Sequence, residues 1–348
     1  MRVVVVGATG NVGTSLVASL ASDARVDSIV GLARRVPELR VPKTEWRAAD
    51  VSRSDLVEPL RGADAVVHLA WLIQPSRDLD ALYATNVTGS RRVFDAVAEA
   101  RVPALVYASS VGTYSPGPKD RGVDESWPAR GIGTSFYSRH KADVEAMLDA
   151  FERDHPSVRV VRLRPALIFK RDAASGVRRL FAGPLLPTSL LRRSLLPIVP
   201  NVARLRFQAV HTDDVAEAYR SAILGDARGA FNVAADPVLD PDVLGRVAGA
   251  RPVRVSARVV RAATDATWRL HLQPTPPGWV DMGLQTPIMD TSRARAELGW
   301  TPRRSATEAL VELLEGMRTN AGIATPPLAP HTGGPLRIRE LATGVGRR

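Results

Sequence analysis

The run MRVVVVGATGNVGTSL at the start of the chain constrains the fold more than any other stretch. Four consecutive valines read as a buried strand, and Gly7, Gly10 and Gly13 follow it before an amphipathic stretch at 11–22 with helical spacing. In that context each glycine has a use: a tight turn, close approach of a ligand to the backbone, and close packing of helix on strand. The helix start that follows offers unpaired N–H groups and a partial positive charge to a phosphate. The spacing Gly-x-x-Gly-x-x-Gly lacks a Lys-Ser/Thr pair, which argues against a nucleoside triphosphatase loop. The loop residues Gly7, Thr9, Gly10, Asn11, Val12 and Gly13 are the candidates for holding a dinucleotide.

Apolar runs at 2–6, 26–33, 64–70, 104–109 and 158–163 alternate with helical patterns at 11–22, 53–61, 78–100 and 133–154. This alternation predicts an α/β fold, a doubly wound parallel sheet of Rossmann type over residues 1–165. After Pro165 the pattern changes. The segment LLPTSLLRRSLLPIVP at 185–200 has prolines and paired arginines that rule out a bilayer span, and reads as a lid or cap. FQAV at 207–210 and the helical DDVAEAYRSAIL at 213–224 predict a return to the first domain at about 205–235. A smaller, discontinuous C-terminal substrate lobe then comprises 166–204 and 236–316, and a poorly ordered tail starts at Met317.

The absence of cysteine excludes disulfides and thiolate metal sites and fits a reducing, cytoplasmic setting. Redox chemistry then needs a bound cofactor. Of the +11 formal charge, most falls in 161–210, where ten Arg or Lys face Asp172 alone. Such a segment suits an anionic group on a small-molecule substrate, with Arg178, Arg179, Arg192 and Arg193 as candidates, or more weakly a membrane surface. It has no interleaved aromatics for base stacking, so nucleic acid is disfavoured. The simple alternative is an Arg-rich composition, 43 Arg against 4 Lys.

Cofactor choice is read at the end of the second strand, where an acidic residue would hold a ribose 2′-hydroxyl. The sequence there is GLARR: Ala33 stands in that place, and Arg34 and Arg35 suit a 2′-phosphate, favouring NADP over NAD. Solvated arginines at a strand end are the competing explanation. Further on, YASSVGTY sets Ser109 and Ser110 at the carboxyl end of a strand, where open α/β sheets bind ligands. FYSRHK places Tyr137 and Lys141 one helical turn apart. Five tyrosines and four lysines in 348 residues would give only about 0.06 such pairs by chance.

With these motifs the chain resembles the extended short-chain dehydrogenase/reductases, the NAD(P)-dependent epimerase/dehydratase family, over roughly residues 1–315. Asp50 and Val51 resemble the family's adenine contact, His68-Leu69-Ala70 the strand end beneath the cofactor, Asn86 the helix asparagine that orders the active site, and Arg164-Pro165 and His211–Asp214 further landmarks. The resemblance implies that Tyr137 is the general acid/base, that Lys141 holds the nicotinamide ribose and favours the phenolate, and that Ser110 bonds the substrate oxygen, with Ser109 as the fallback. It also implies a homodimer through the helices carrying Asn86 and Tyr137. Two departures narrow the reaction. Val111 and Gly112 replace the Asp-Glu of sugar-nucleotide dehydratases, and Leu167 replaces an asparagine that many sugar-nucleotide members carry. The expected activity is therefore hydride transfer at a CH–OH/C=O pair of a small or medium metabolite with apolar surface. The alternatives are a sugar-nucleotide epimerase and a non-catalytic NADP-sensing regulator.

Overall fold

The computed structural model describes residues 1–74, 76–181 and 198–329. In chain order it contains β1 (Arg2–Val6), α1 (Asn11–Ser22), β2 (Ser28–Ala33), β3 (Thr44–Ala48), α2 (Val57–Leu60), β4 (Ala65–His68), α3 (Leu79–Tyr83), α4 (Gly89–Glu99), β5 (Ala104–Ala108), β6 (Gly122–Val123), α5 (Phe136–Asp154) and β7 (Arg159–Pro165). There follow β8 (Leu167–Phe169), α6 (Ala174–Phe181), β9 (Ile198–Val202), β10 (Phe207–His211), α7 (Thr212–Leu224), β11 (Gly229–Val233), β12 (Ala235–Leu239), α8 (Pro241–Ala248), β13 (Arg251–Val255), α9 (Ala257–Arg269), α10 (Gly278–Gln285), β14 (Ile288–Met289), α11 (Ser292–Leu298) and α12 (Ala306–Thr319).

Seven strands form one sheet in the order β11-β7-β5-β4-β1-β2-β3, every pairing parallel. The valines of β1 divide by pleat. Val3 and Val5 enter a core with Leu16, Val17 and Leu20 of α1 and Val215 and Tyr219 of α7, while Val4 and Val6 join Val93 and Phe94 of α4 and Leu148 of α5 on the other face. A strand covered on both faces must be apolar throughout, which is why it reads as an unbroken run. The chain leaves β1 toward β2 and β3, then crosses back to β4. The resulting crevice at the carboxyl ends of β1 and β4 is where such sheets bind ligands.

The chain differs from the sequence expectations in four places. β3 was not expected: TEWRA is a half-exposed edge strand with no apolar run. The helix expected at 53–61 shrinks to Val57–Leu60, because the Asp50 carboxylate captures the Ser52 N–H and hydroxyl and holds the chain in a turn. FQAV forms β10, which pairs with β8 and β12 in a separate three-stranded sheet; the return to the main sheet is made by β11. Finally, α12 runs on to Thr319, and Leu328 is buried beyond it with its carbonyl accepting from Ser175. The chain is therefore packed past Met317, and the rest of the expected tail lies outside the described residues. Most of the 185–200 segment, with Arg192 and Arg193, also lies outside them, as does the side chain of Arg179.

The described part of the C-terminal third packs onto the first. Ala294, Leu298, Trp300, Ala306, Leu310 and Leu313 share one apolar cluster with β1 and α1. The Trp300 indole donates to the Asp214 carbonyl at 2.7 Å, and Asp214 in turn accepts from the Arg304 N–H.

Candidate active site

The Gly-rich loop turns from β1 into α1 at the crevice. Gly7 has φ +89°, and a Cβ there would stand 2.7 Å from the Ala70 nitrogen and 2.9 Å from the Leu69 carbonyl carbon. At Gly13 a Cβ would stand 2.5 Å from the Gly7 oxygen. Gly10 is different: its Cβ would meet only that same oxygen, at 3.4 Å. Gly7 and Gly13 are required by packing, whereas at Gly10 the fold leaves room beside the backbone. Gly10 is also the N-cap of α1 and supplies no side-chain cap, and no acidic residue occupies the first turn. The amides of Asn11, Val12 and Gly13 are thus available to an anion, and the cradle fits a dinucleotide pyrophosphate.

The Asn11 side chain faces away from that role. It donates to the Ile168 carbonyl at 3.4 Å and accepts from the Thr212 hydroxyl at 3.1 Å, tying the loop to β8 and α7. The buried Lys170 ammonium binds the same turn through the Asn11 carbonyl and the Thr14 and Ser15 hydroxyls. Thr9 is buried in the loop. Arg34 and Arg35 follow β2, both exposed. Asp50 and Val51 follow β3; burial works to raise the Asp50 carboxyl, but Ser52, Arg53 and Arg34 hold it below its ordinary value. Val51 packs so close to Gly89 that a Cβ there would be 2.7 Å away. Leu69 and Ala70 follow β4, with the Leu69 N–H donating to Val6 at 2.8 Å. Pro165 ends β7, paired with Val233 of β11.

Ser109 and Ser110 leave the end of β5 in different directions. The Ser109 hydroxyl donates to Glu145 at 2.5 Å. Ser110 accepts from the Gly112 N–H at 3.0 Å, and it works against the rise that burial causes in the Tyr137 phenol. Ser109 is thus held by Glu145 of α5, and Ser110 is the serine that acts on the tyrosine phenol. The α5 helix starts at Ser135, whose hydroxyl caps the Ser138 N–H, and this start turns Tyr137 toward Gly112. Burial pushes the phenol above its ordinary value, partly offset by the Ser110 hydrogen bond.

Lys141, one turn on, is buried and donates to the Ala108 carbonyl at 2.6 Å. Burial pulls its ammonium well below the usual range, against the opposing field of Glu145. The expected lowering of the Tyr137 phenol by Lys141 is thus not what governs either group here; desolvation does, because both lie within a low-dielectric layer.

Asn86 sits in a short π-helical turn at 84–88 between α3 and α4. Its amide pairs with both backbone groups of Leu72, accepting at 2.7 Å and donating at 2.8 Å. Asn86 thereby fixes the chain beside Trp71, a residue sequence reasoning passed over although it directly follows His68-Leu69-Ala70. The Trp71 ring lies 3.4 Å from the Lys141 ammonium and edge-on to Tyr137. Glu145 was missed too, although its spacing four residues after Lys141 puts it on the same helical face. Its carboxylate takes Arg164 through two oxygens at 2.8 and 2.5 Å and lies 3.6 Å from Arg162. Two of the arginines in the basic segment therefore point inward, and Arg178 also has a partner within the fold. Trp279 and Met282 of α10 reach the tyrosine from the far end of the chain, with no local signal to announce them.

This arrangement gives a dinucleotide cradle beside a Ser-Tyr-Lys group at the carboxyl edge of one sheet. The family model for the NAD dependent epimerase/dehydratase family matches residues 3–234. The chain belongs to that family. As a member it is an NAD(P)-dependent enzyme of short-chain dehydrogenase/reductase type. An uncharacterised Mycobacterium tuberculosis protein is 28% identical over 362 residues, covering 99% of this chain and 90% of its own length. The epimerase/dehydratase fold is shared with MoeE5, solved in complex with UDP-glucuronic acid and NAD, at 22% identity and TM-score 0.67 over 92% of this chain and 99% of that one. It is shared too with Thermus thermophilus UDP-glucose 4-epimerase in complex with NAD, at 21% identity and TM-score 0.65 over 91% and 99%. Among the described residues no helix is long and apolar enough to cross a membrane.

Proposed function

We propose that this epimerase/dehydratase family member is an oxidoreductase that interconverts a secondary alcohol and a ketone on a small or medium metabolite, with NADP preferred to NAD. The observation that carries the reading is Tyr137 and Lys141 on one face of α5, with the Lys141 ammonium 5.9 Å from the Tyr137 ring centre and the end of β5, with Ser110, beside them. When bound, the nicotinamide supplies or accepts the hydride. Tyr137 gives its phenolic proton to the carbonyl oxygen in reduction and takes it back in oxidation. Ser110 donates to the same oxygen as charge develops on it. Lys141, already anchored on Ala108, keeps further N–H donors for the ribose hydroxyls. Trp71 lies against the Tyr137 and Lys141 pair, its ring centre 3.4 Å from the Lys141 ammonium.

The preference for NADP rests on Arg34 and Arg35, which are exposed at the β2 end and form no ion pair among the described residues. A bound 2′-phosphate would give them a partner. The sugar-nucleotide epimerase reading ranks second: solved proteins of this fold carry UDP sugars, but Leu167 stands where many sugar-nucleotide members carry an asparagine.

Turnover of a panel of ketones and alcohols, with UDP-glucose included, tests the reading. Tyr137→Phe should lower turnover by about a hundredfold or more while leaving nucleotide affinity intact. Arg34→Ala with Arg35→Ala should weaken NADPH binding about tenfold or more and barely change NADH. Full activity in Tyr137→Phe would overturn the assignment of the proton donor.

A further inference from the structure

The groups packed around Tyr137 are largely rings, a thioether and bare backbone. The Trp279 ring centre lies 5.0 Å from that of Tyr137 at 37°, and Trp71 meets the same ring edge-on at 5.9 Å. Phe136 extends the row behind Trp279 at 6.5 Å. Opposite, a Cβ on Gly112 would stand 3.2 Å from the Met282 sulfur and 2.8 Å from the Tyr137 ring, so no side chain separates phenol and backbone there. Ser110 is the side-chain hydroxyl that acts on the phenol, and the charges nearest in sequence have other partners. Asp281, between Trp279 and Met282, is ion-paired to Arg261 at 2.8 Å, and Lys141 is bonded to Ala108 beneath Trp71.

Such walls discriminate by chemistry. A sugar carries a hydroxyl on nearly every carbon, and each one pressed against an indole without a partner loses its hydrogen bonds to water. A flat apolar ring loses none and gains offset or edge contacts with both indoles.

We propose that the substrate of this site is an aryl-substituted secondary alcohol or ketone, its aromatic ring packed on Trp279 and Trp71 and its oxygen on Ser110 and Tyr137. This rests on the oxidoreductase reading above and names the substrate class for it. In reduction the carbonyl carbon gains a hydride from a reduced nicotinamide dinucleotide and the oxygen gains the Tyr137 proton; the alcohol and the oxidised dinucleotide leave, and solvent returns the proton.

The test compares acetophenone with 2-octanone, which has the same number of carbons, and both with UDP-glucose, using the full chain and NADPH. Turnover is followed at the nicotinamide absorbance, and binding of 1-phenylethanol is read separately by saturation-transfer NMR on its ring protons. The expected result is a kcat/KM for acetophenone about tenfold above that for 2-octanone, from two aromatic contacts. Trp279→Leu should bring the ratio to near one and abolish saturation transfer without changing NADPH affinity. Trp279→Phe, which keeps a ring, should retain the preference and guards against a variant that merely misfolds. Tyr137-dependent turnover of 2-octanone or UDP-glucose as efficient as that of acetophenone would overturn the aryl proposal and leave the oxidoreductase reading standing. Saturation transfer to 1-phenylethanol that depends on Trp279, with no Tyr137-dependent turnover of any compound, would support the aryl site and overturn the oxidoreductase reading. Absence of both turnover and saturation transfer in a folded, NADPH-binding chain would overturn both.

Discussion

Gly10 and Gly13 look alike in the sequence but differ in what a methyl group would meet. Gly13→Ala drives a Cβ into the Gly7 oxygen and the Ala8 backbone, at 2.5 and 2.7 Å. Neither contact can yield without moving the loop, so the variant should lose about 1–3 kcal/mol in urea denaturation. Gly10→Ala has no such clash and should unfold like the wild type, yet the new methyl enters the phosphate cradle and should weaken nucleotide binding. His68 carries a second residue-scale prediction. It is fully buried, with Nε2 bonded to Ser90 at 2.9 Å and no partner for Nδ1. Burial, aided by the Lys141 charge, pulls its imidazole down to about 3; burial and Arg139 pull His140 down to about 4. Each is neutral in the fold and charges on unfolding once the pH falls below its ordinary value. Their contribution is therefore complete above about pH 6.5 and is lost as the pH falls toward 4 and 3, at about 1.4 kcal/mol per pH unit for each histidine. Lys119, pulled down to about 7 by burial, has already taken up its proton in this range. Urea midpoints between pH 6.5 and 5 should fall steadily, and His68→Asn should roughly halve the slope; an unchanged slope would contradict the burial of a neutral His68.

Elements are held in register by charges that the sequence shows only as a basic segment. Strand β7 sends Arg162 and Arg164 inward to α5, where Glu145 is the shared counter-charge and Asp149 adds a contact to Arg162 at 2.6 Å. Burial works to raise the Glu145 carboxyl, but Arg164, Arg162 and Ser109 keep it below its ordinary value, hence ionised. Glu145→Gln leaves a buried guanidinium short of a charge and should cost about 3 kcal/mol in denaturation. Helix α1 was legible to the residue, since glycines before it and serines along it mark the boundary: Ser15 and Ser19 bond Asp213 and Glu217 of α7 at 2.8 and 2.6 Å. Strand β3 and the short α2 were not. An edge strand with one half-exposed face carries polar residues, and Pro59 inside α2 limits helix length in a way that the flanking apolar spacing hides.

For the molecule as a whole, what the sequence reveals follows contact range. The cradle and the Ser110-Tyr137-Lys141 group come from local motifs, each fixed by one strand end and the helix after it, so all were readable. Trp279 joins Tyr137 across more than 140 residues because Gly278 lets α10 press on Thr134: a Cβ at Gly278 would stand 2.3 Å from that carbonyl. Nothing in the sequence near position 279 encodes that contact. Which sheet β10 joins has the same origin, since a strand of five residues carries no local mark of its partners. The dinucleotide cradle is the feature on which the rest of the site depends. Fluorescence titration of NADPH and NADH against the wild type and Gly10→Ala tests it most directly. Saturable binding to the wild type, with Gly10→Ala folded but binding at least tenfold more weakly, is the predicted result. A folded wild-type chain that binds neither nucleotide, or a Gly10→Ala variant that binds as tightly as the wild type, would contradict it.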